Sequence, residues 1–271
     1  MSLAAKLKHG VRRVMPERWS RVIEQRFFRV RWTGDYPSWA AARADCAGYE
    51  EARLISRTAA AARAARDGRV AFDRDGVTFD LPMANEPLLD CLRAAAGEAS
   101  GEIVVLDVGG AFGSAYWQHR RWLDDLRVTS WRVVELPAVV ALGRREFADG
   151  RLAFFESVEE ACAGVRPDVA LLSSVLPYVA DGRGLLESVA RQRIKWVILD
   201  RTGVVEGARD RITVQRAPRS LHGASYPCRF YSRASLLASL ADDYVLRREF
   251  STPDGHTSGF EFKGFVFEHR I

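Results

Sequence analysis

The chain has 271 residues, 48% of them apolar and 28% charged, with 40 Lys and Arg against 35 Asp and Glu. That length suits one α/β domain with additions, and the composition is ordinary for a globular protein with a core of normal size. No apolar run approaches the roughly 18 residues of a membrane span, and the N-terminus lacks the apolar stretch of a signal peptide.

The basic excess is local. Residues 1–31 hold nine Lys and Arg and two acids, a net of +7, while the whole chain is +5. The remainder is near neutral and carries no recognisable nucleic-acid motif. Leu3, Leu7, Val11 and Val14 recur at helical steps, with Lys6, Lys8, Arg12 and Arg13 mostly off that stripe. This reads as a basic amphipathic helix with Gly10 as its weak point. Three placements stay open for it: an anionic membrane surface, its own domain, or a second subunit in a homodimer.

Residues 32–39, Trp-Thr-Gly-Asp-Tyr-Pro-Ser-Trp, read as an aromatic loop with Pro37 opening the next helix. Tyr36 and Trp39 are candidates for clamping a substrate or for anchoring an N-terminal arm. Residues 38–66 are alanine-rich and predict two helices broken near Gly48. Arg69 to Leu81 reads as a hairpin turning at Asp75-Gly76. Asn85 is placed to cap a helix with Pro87 in its first turn, running to about Ala96. Residues 1–100 are thus expected to form a helical N-terminal extension, and 101–271 a second domain. The cysteines, Cys46, Cys91, Cys162 and Cys228, are scattered and read as reduced cytosolic thiols.

The most informative stretch follows. Ile103 to Leu106 is apolar, Asp107 ends the run, and Gly109, Gly110 and Gly113 precede a helix-like segment. This predicts a buried parallel strand, a tight turn and a helix N-terminus. Such a turn lets a cofactor approach the backbone, and Asp107 sits at the strand's carboxyl end, where open α/β sheets bind ligands. The dinucleotide fingerprint G-x-G-x-x-G fails in both registers, since Ala111 and Ser114, or Phe112 and Ala115, stand where glycines belong. Asp107, Gly109, Ala111 and Gly113 instead resemble the D-x-G-x-G-x-G turn of class I S-adenosylmethionine-dependent methyltransferases, with alanine at the middle glycine. A second apolar run, Trp131 to Val134, ends in Glu135, about twenty residues beyond the turn. An acid there suits the ribose hydroxyls of an adenosine.

The alternation then becomes regular. Strand 103–107 leads to helix 114–126, strand 131–135 to helix 137–149, and strand 152–155 to helix 157–164, where Ser157 and Glu160 form a capping box. Strand 168–173 leads to helix 181–192 and then to strand 196–200. This predicts a parallel sheet covered on both faces. Residues 203–231 read as long and irregular. A helix at 232–242, capped by Ser232, precedes strands at 244–250 and 260–268, with a turn at Pro253-Asp254-Gly255. A mostly parallel seven-stranded sheet closed by an antiparallel hairpin is a Rossmann-like class I methyltransferase fold. Dinucleotide enzymes more often continue with parallel units.

Across about residues 32–250 the chain also resembles a bacterial family of methyltransferases often encoded among surface-polysaccharide genes. The residues concerned are Trp32 to Trp39, Leu106 to Tyr116, Trp131 to Glu135, Ser173 to Tyr178, Asp200-Arg201-Thr202 and Ser225-Tyr226-Pro227. The resemblance implies a cytoplasmic enzyme that uses S-adenosylmethionine. Residues 1–31 lie outside it, so any peripheral contact with the inner face of the membrane hangs on them alone.

Methyl transfer is an in-line displacement that depends on holding two atoms near contact. Gly109, Gly110 and Gly113 are expected beneath the methionine half of the donor, with Asp107 meeting its amino group. Glu135 is expected on ribose, Glu156 and Ser157 by adenine, Ser173 beside the methyl, and Tyr116 covering the donor. Capping is the competing role for Ser157. The acceptor is a small molecule or glycan, with a sugar hydroxyl favoured. Asp200, His222 and Tyr178 are the catalytic candidates, because a hydroxyl acceptor must lose its proton late in the reaction. An ion pair with Arg201 competes for Asp200, and an exposed loop position for His222. His119 reads as a surface residue. Arg201 and Thr202 are placed to hold an acidic acceptor, and Tyr226 to line its pocket. No residue cluster has metal spacing, so the reaction is expected to be metal-independent. An NAD-dependent oxidoreductase or epimerase competes but lacks a Tyr-x-x-x-Lys pair, since Tyr116 is followed by Arg120 and Tyr178 by Gly182 at that spacing. A non-catalytic membrane-associated scaffold that kept only the fold is the third class.

Overall fold

A computed structural model describes residues 30–46, 51–98, 102–217, 223–257 and 259–270. The basic helix expected at 3–15 lies outside these residues, as does His222. The chain divides into two compact units, Met1–Glu50 with Arg211–Arg229, and Glu51–Asp210 with Phe230–Ile271. The boundary expected at residue 100 falls inside the second unit.

In the first unit, β1 (Arg31–Tyr36) pairs antiparallel with β9 (Arg211–Arg216), placing Trp32 opposite Gln215 and Thr33 opposite Val214. The expected aromatic loop is therefore largely a strand. Ser38 caps α1 (Trp39–Ala44), its Oγ accepting the Ala41 N–H at 3.1 Å, so the helix starts after Pro37. The described residues of 203–231 are also not the irregular segment expected. They hold the end of β8 (Trp196–Val205), all of β9 and most of β10 (Ser225–Ser232). The signal was hidden because β9 buries the polar Thr213 and Gln215 on either side of a single buried apolar residue, Val214. Each is hydrogen-bonded, as most buried polar groups are: Thr213 Oγ1 donates to the Cys228 carbonyl at 3.0 Å and Gln215 Oε1 accepts the Trp32 indole N–H at 2.9 Å.

The second unit opens with α2 (Glu51–Arg66), the hairpin β2 (Phe72–Arg74) and β3 (Val77–Phe79), and α3 (Glu86–Glu98). Asp75 and Gly76 both have positive φ, 51° and 72°, as a two-residue hairpin turn requires. The central sheet then follows: β4 (Ile103–Val108), β5 (Val128–Val134), β6 (Leu152–Phe155), β7 (Val169–Ser173), β8, β11 (Tyr244–Thr257) and β12 (Phe260–His269). Its order is β6-β5-β4-β7-β8-β12-β11. Only β12 runs against the rest, pairing antiparallel with both β8 and β11. These seven strands make the expected fold, mostly parallel and closed by an antiparallel hairpin; the end of β10 also joins the sheet, parallel to β8 at Tyr231 and Ser232. The closing turn comes later than expected, because β11 stays paired until Thr257 meets Phe260. A register slip between Ser251 and His256 absorbs the Pro-Asp-Gly signal.

The strands are apolar on both sides, which is why helices cover both faces. Ile103 and Val105 of β4 and Leu171 of β7 pack with α2, α3, α4 (Ser114–Leu123) and α5 (Pro137–Glu146). Leu106, Ala170 and Leu172 face α6 (Val158–Cys162), α7 (Gly182–Arg191) and α8 (Arg233–Ala238). Each buried large side chain contributes about 1.5–3 kcal/mol. The expected cap forms, in a variant of the box: Ser157 Oγ accepts the Glu160 N–H at 3.0 Å, while Glu160 Oε2 accepts the N–H of Glu156, one residue before the cap, at 2.7 Å. Ser232 is not a side-chain cap. Its hydroxyl donates to the Gly207 carbonyl at 2.6 Å, and α8 ends at Ala238.

Candidate active site

The turn after β4 is built from left-handed residues. Gly109, Ala111 and Gly113 have φ of 73°, 50° and 81°. Gly109 is sterically required as well, because a Cβ there would lie 2.7 Å from Val175 Cβ. Ala111 occupies the middle position of the motif in the same left-handed region, and its N–H donates to Glu135 Oε1 at 3.1 Å. Glu135 Oε2 accepts the Leu136 N–H at 2.9 Å. Burial raises the Glu135 carboxyl above its ordinary range, against the pull of those two N–H groups. The two acids picked from the sequence thus meet at one turn. Glu135 holds it from the end of β5, and Asp107 lies beneath it, where a Cβ on Gly110 would come 2.5 Å from the carboxyl carbon.

Asp107 is 1% exposed, and its Oδ2 accepts the Trp131 indole N–H at 2.9 Å. Burial pushes it up to about 7, offset in part by that bond and reinforced by the charge on Glu135. The folded chain therefore holds a proton at a pH where the unfolded carboxyl has lost it. This stabilises the fold below about pH 4 and is lost as pH rises through about 7. Asp107→Asn keeps an acceptor for Trp131 and removes the titration. Its advantage in melting temperature over wild type should grow from about pH 5 to about pH 8. A difference that stays flat across that window would show that residue 107 does not titrate there.

The carboxyl ends of β7 and β8 form the other wall. Ser173 lies beside Asp200 in register, and its hydroxyl donates to Asp200 Oδ2 at 2.9 Å. Asn85 Nδ2 donates to the same oxygen at 3.0 Å. Asn85 also caps α3, its Oδ1 accepting the Leu88 N–H at 3.2 Å, and its own N–H donates to His119 Nε2 at 2.9 Å. His119 is not on the surface: it is 1% exposed, on the same helical stripe as Tyr116 and Leu123. Nδ1 faces the Ala115 carbonyl at 2.7 Å, so it carries the hydrogen and Nε2 accepts. Burial pushes His119 down to about 4 and keeps it neutral. Arg201 has φ 52° and pairs with Asp75 of the hairpin at 3.0 Å. Thr202 is fully buried.

The remaining candidates fall elsewhere or have other bonds. Tyr116 points away from the turn, its hydroxyl donating to Asp149 Oδ2 at 3.1 Å ahead of β6. Glu156 is exposed and Ser157 caps α6. Tyr178 closes a 3-10 turn, Leu176–Tyr178, after β7. Tyr36, Trp39 and Tyr226 belong to the first unit. Tyr36 bonds Asp45, Trp39 lies 5.6 Å from the Arg229 guanidinium, and the Tyr226 hydroxyl accepts from Gln215 Nε2 at 2.7 Å. Sequence reasoning missed Asp73 and Val175 and gave Asn85 only its capping role.

Strand order and glycine turn together define a Rossmann-like fold of the class I methyltransferase type. No family model matches the sequence, and no curated protein matches it. Solved structures do resemble it. One is CalS10 with S-adenosylmethionine bound, an amino pentose methyltransferase from Micromonospora echinaspora, at 16% identity and TM-score 0.44 over 68% of this chain and 89% of that one. Another is the N-terminal domain of EvdMO1 in the presence of S-adenosylhomocysteine and D-fucose, at 17% identity and TM-score 0.45 over 82% and 97%. A third is the glycopeptide N-methyltransferase MtfA complexed with S-adenosylmethionine, at 13% identity and TM-score 0.45 over 67% and 93%. Likenesses of this size assign no activity to the chain.

Proposed function

We propose that the chain is an S-adenosylmethionine-dependent methyltransferase acting on a small-molecule or glycan acceptor, with a sugar hydroxyl in surface-polysaccharide or related biosynthesis as the favoured target. The observation that supports this most is the left-handed turn Gly109–Gly113, bonded to Glu135 at the carboxyl edge of the parallel strands. The residues fit the cofactor. The turn offers bare backbone to a ligand, and a carboxylate has lone pairs enough to serve a ribose diol besides two backbone N–H groups.

When bound, S-adenosylmethionine supplies an electrophilic methyl group on a sulfonium. Glu135 takes the ribose hydroxyls, Glu156 and Ser157 border the adenine, and Ser173 stands beside the reacting centre. Asp200, fixed by Ser173 and Asn85, accepts the acceptor hydroxyl's proton at its carboxylate. Tyr178 flanks that position, and Arg201 binds acidic groups of the acceptor, with the fully buried Thr202 serving behind it and not as a contact.

Calorimetric titration with S-adenosylhomocysteine and, separately, NAD tests the reading. Binding of the first supports it, whereas binding of NAD alone would replace it with an oxidoreductase. Binding of neither would favour a scaffold. With an acceptor found among nucleotide sugars and lipid-linked glycans, Asp200→Asn should lower kcat by about a hundredfold or more while S-adenosylhomocysteine affinity holds within about threefold. A variant of unchanged kcat would remove Asp200 from the chemistry.

A further inference from the structure

A third carboxylate borders the glycine turn, brought there by an element outside the central sheet. Asp73 lies on β2, is 1% exposed, and its Oδ2 accepts the Ser114 hydroxyl at 2.9 Å. Ser114 is the first residue of α4, directly after Gly113. Oδ1 of Asp73 is buried and has no hydrogen-bond partner. Burial pushes this carboxyl up to about 6, with the Asp75 charge adding to it and Ser114 opposing it.

A buried carboxylate oxygen without a partner costs the fold about 1–3 kcal/mol or more. Proximity to a helix N-terminus offsets part of that cost, because the end of the helix is partially positive. It leaves the oxygen itself without a donor. The hairpin that carries Asp73 is held by the Phe72–Phe79 stack at 4.5 Å and by the Asp75–Arg201 pair. Asp107 is differently placed, since an indole already donates to its Oδ2.

The geometry points to Asp73 as the carboxylate that receives the α-ammonium of the donor's methionine half, at Oδ1, with Ser114 remaining on Oδ2. This rests on the methyltransferase reading above. Asp73 is then a specificity-determining residue: it favours a donor with the whole amino-acid tail over the truncated nucleoside. Asp107 acts on both ligands alike by supporting the turn beneath the nucleoside and thioether.

The test is calorimetry on the full chain with two probes, S-adenosylhomocysteine and 5′-methylthioadenosine, which share nucleoside and thioether and differ by the amino-acid tail. Asp73→Asn should weaken S-adenosylhomocysteine about tenfold or more and leave 5′-methylthioadenosine within about twofold. Asp107→Asn should change the two by the same factor. Retained 5′-methylthioadenosine binding certifies that the variant is folded. If Asp73→Asn melts below the assay temperature, Asp73→Ser is read in its place. An equal loss of both ligands in the Asp73 variant overturns the assignment, and so does no loss of either. Selective loss in Asp107→Asn instead would give the ammonium to Asp107 and overturn it too. A wild-type chain that binds neither probe overturns the donor reading itself, and the assignment with it.

Discussion

Glu135→Ala should lower S-adenosylhomocysteine affinity by about a hundredfold or more, measured by calorimetry on protein whose fold is checked by circular dichroism. Two losses add. Hydrogen bonds from ribose hydroxyls to a charged acceptor contribute about 1.5–3 kcal/mol each. The Ala111 N–H also loses its acceptor, and that residue sits at a positive φ that costs an L-residue about 1–2 kcal/mol. The turn would then relax away from the shape a ligand needs. Stability should fall by only about 1 kcal/mol, because the two N–H bonds lost with Glu135 are offset by removal of a carboxylate whose burial is itself unfavourable. Glu135→Gln keeps an acceptor oxygen for Ala111 and should recover about tenfold of the affinity. Unchanged affinity in Glu135→Ala would mean that no ribose binds at this acid.

Gly109→Ala should destabilise the fold by about 2–4 kcal/mol, read from urea denaturation. One part is backbone, since φ is 73°. The other is packing, since the new methyl would meet Val175 Cβ and Cγ2 at 2.7 Å. Val175→Gly removes both of those contacts and so relieves the second part and not the first. The double variant should therefore show a favourable coupling of about 1–2 kcal/mol relative to the sum of the single changes. Ligand binding should stay weak in it, because the methyl still stands where the backbone must be approached. A Gly109→Ala chain as stable as wild type would show that the turn does not need glycine here.

Much of this architecture is local and was legible in the residues. Strands of Val, Ile and Leu alternating with helices specify a parallel sheet with two covered faces. Asp75-Gly76 specifies a hairpin, Asn85 and Ser157 specify caps, and the spacing from Asp107 to Gly113 specifies a ligand turn. These signals depend on backbone conformations and hydrogen bonds within a few residues, so a short window contains them. Beyond that range the signals weaken. β9 was invisible because two of its three buried positions are Thr213 and Gln215, whose hydrogen-bond partners lie 11 to 183 residues away. His119 looked like a surface residue because nothing near it in the chain announces a buried acceptor.

By itself the sequence determined the fold class and the identity of the turn that a cofactor would use. Only the tertiary structure decided what each acid touches. Asp107 is committed to Trp131, 24 residues on, and Asp200 to Asn85, 115 residues back. Asp73 is brought to Ser114, 41 residues on, with one oxygen unpartnered. Which carboxylate is bonded, and which is buried with an unpartnered oxygen, is a matter of burial and partners. Both are properties of packing between distant segments, and no periodicity along the chain encodes them.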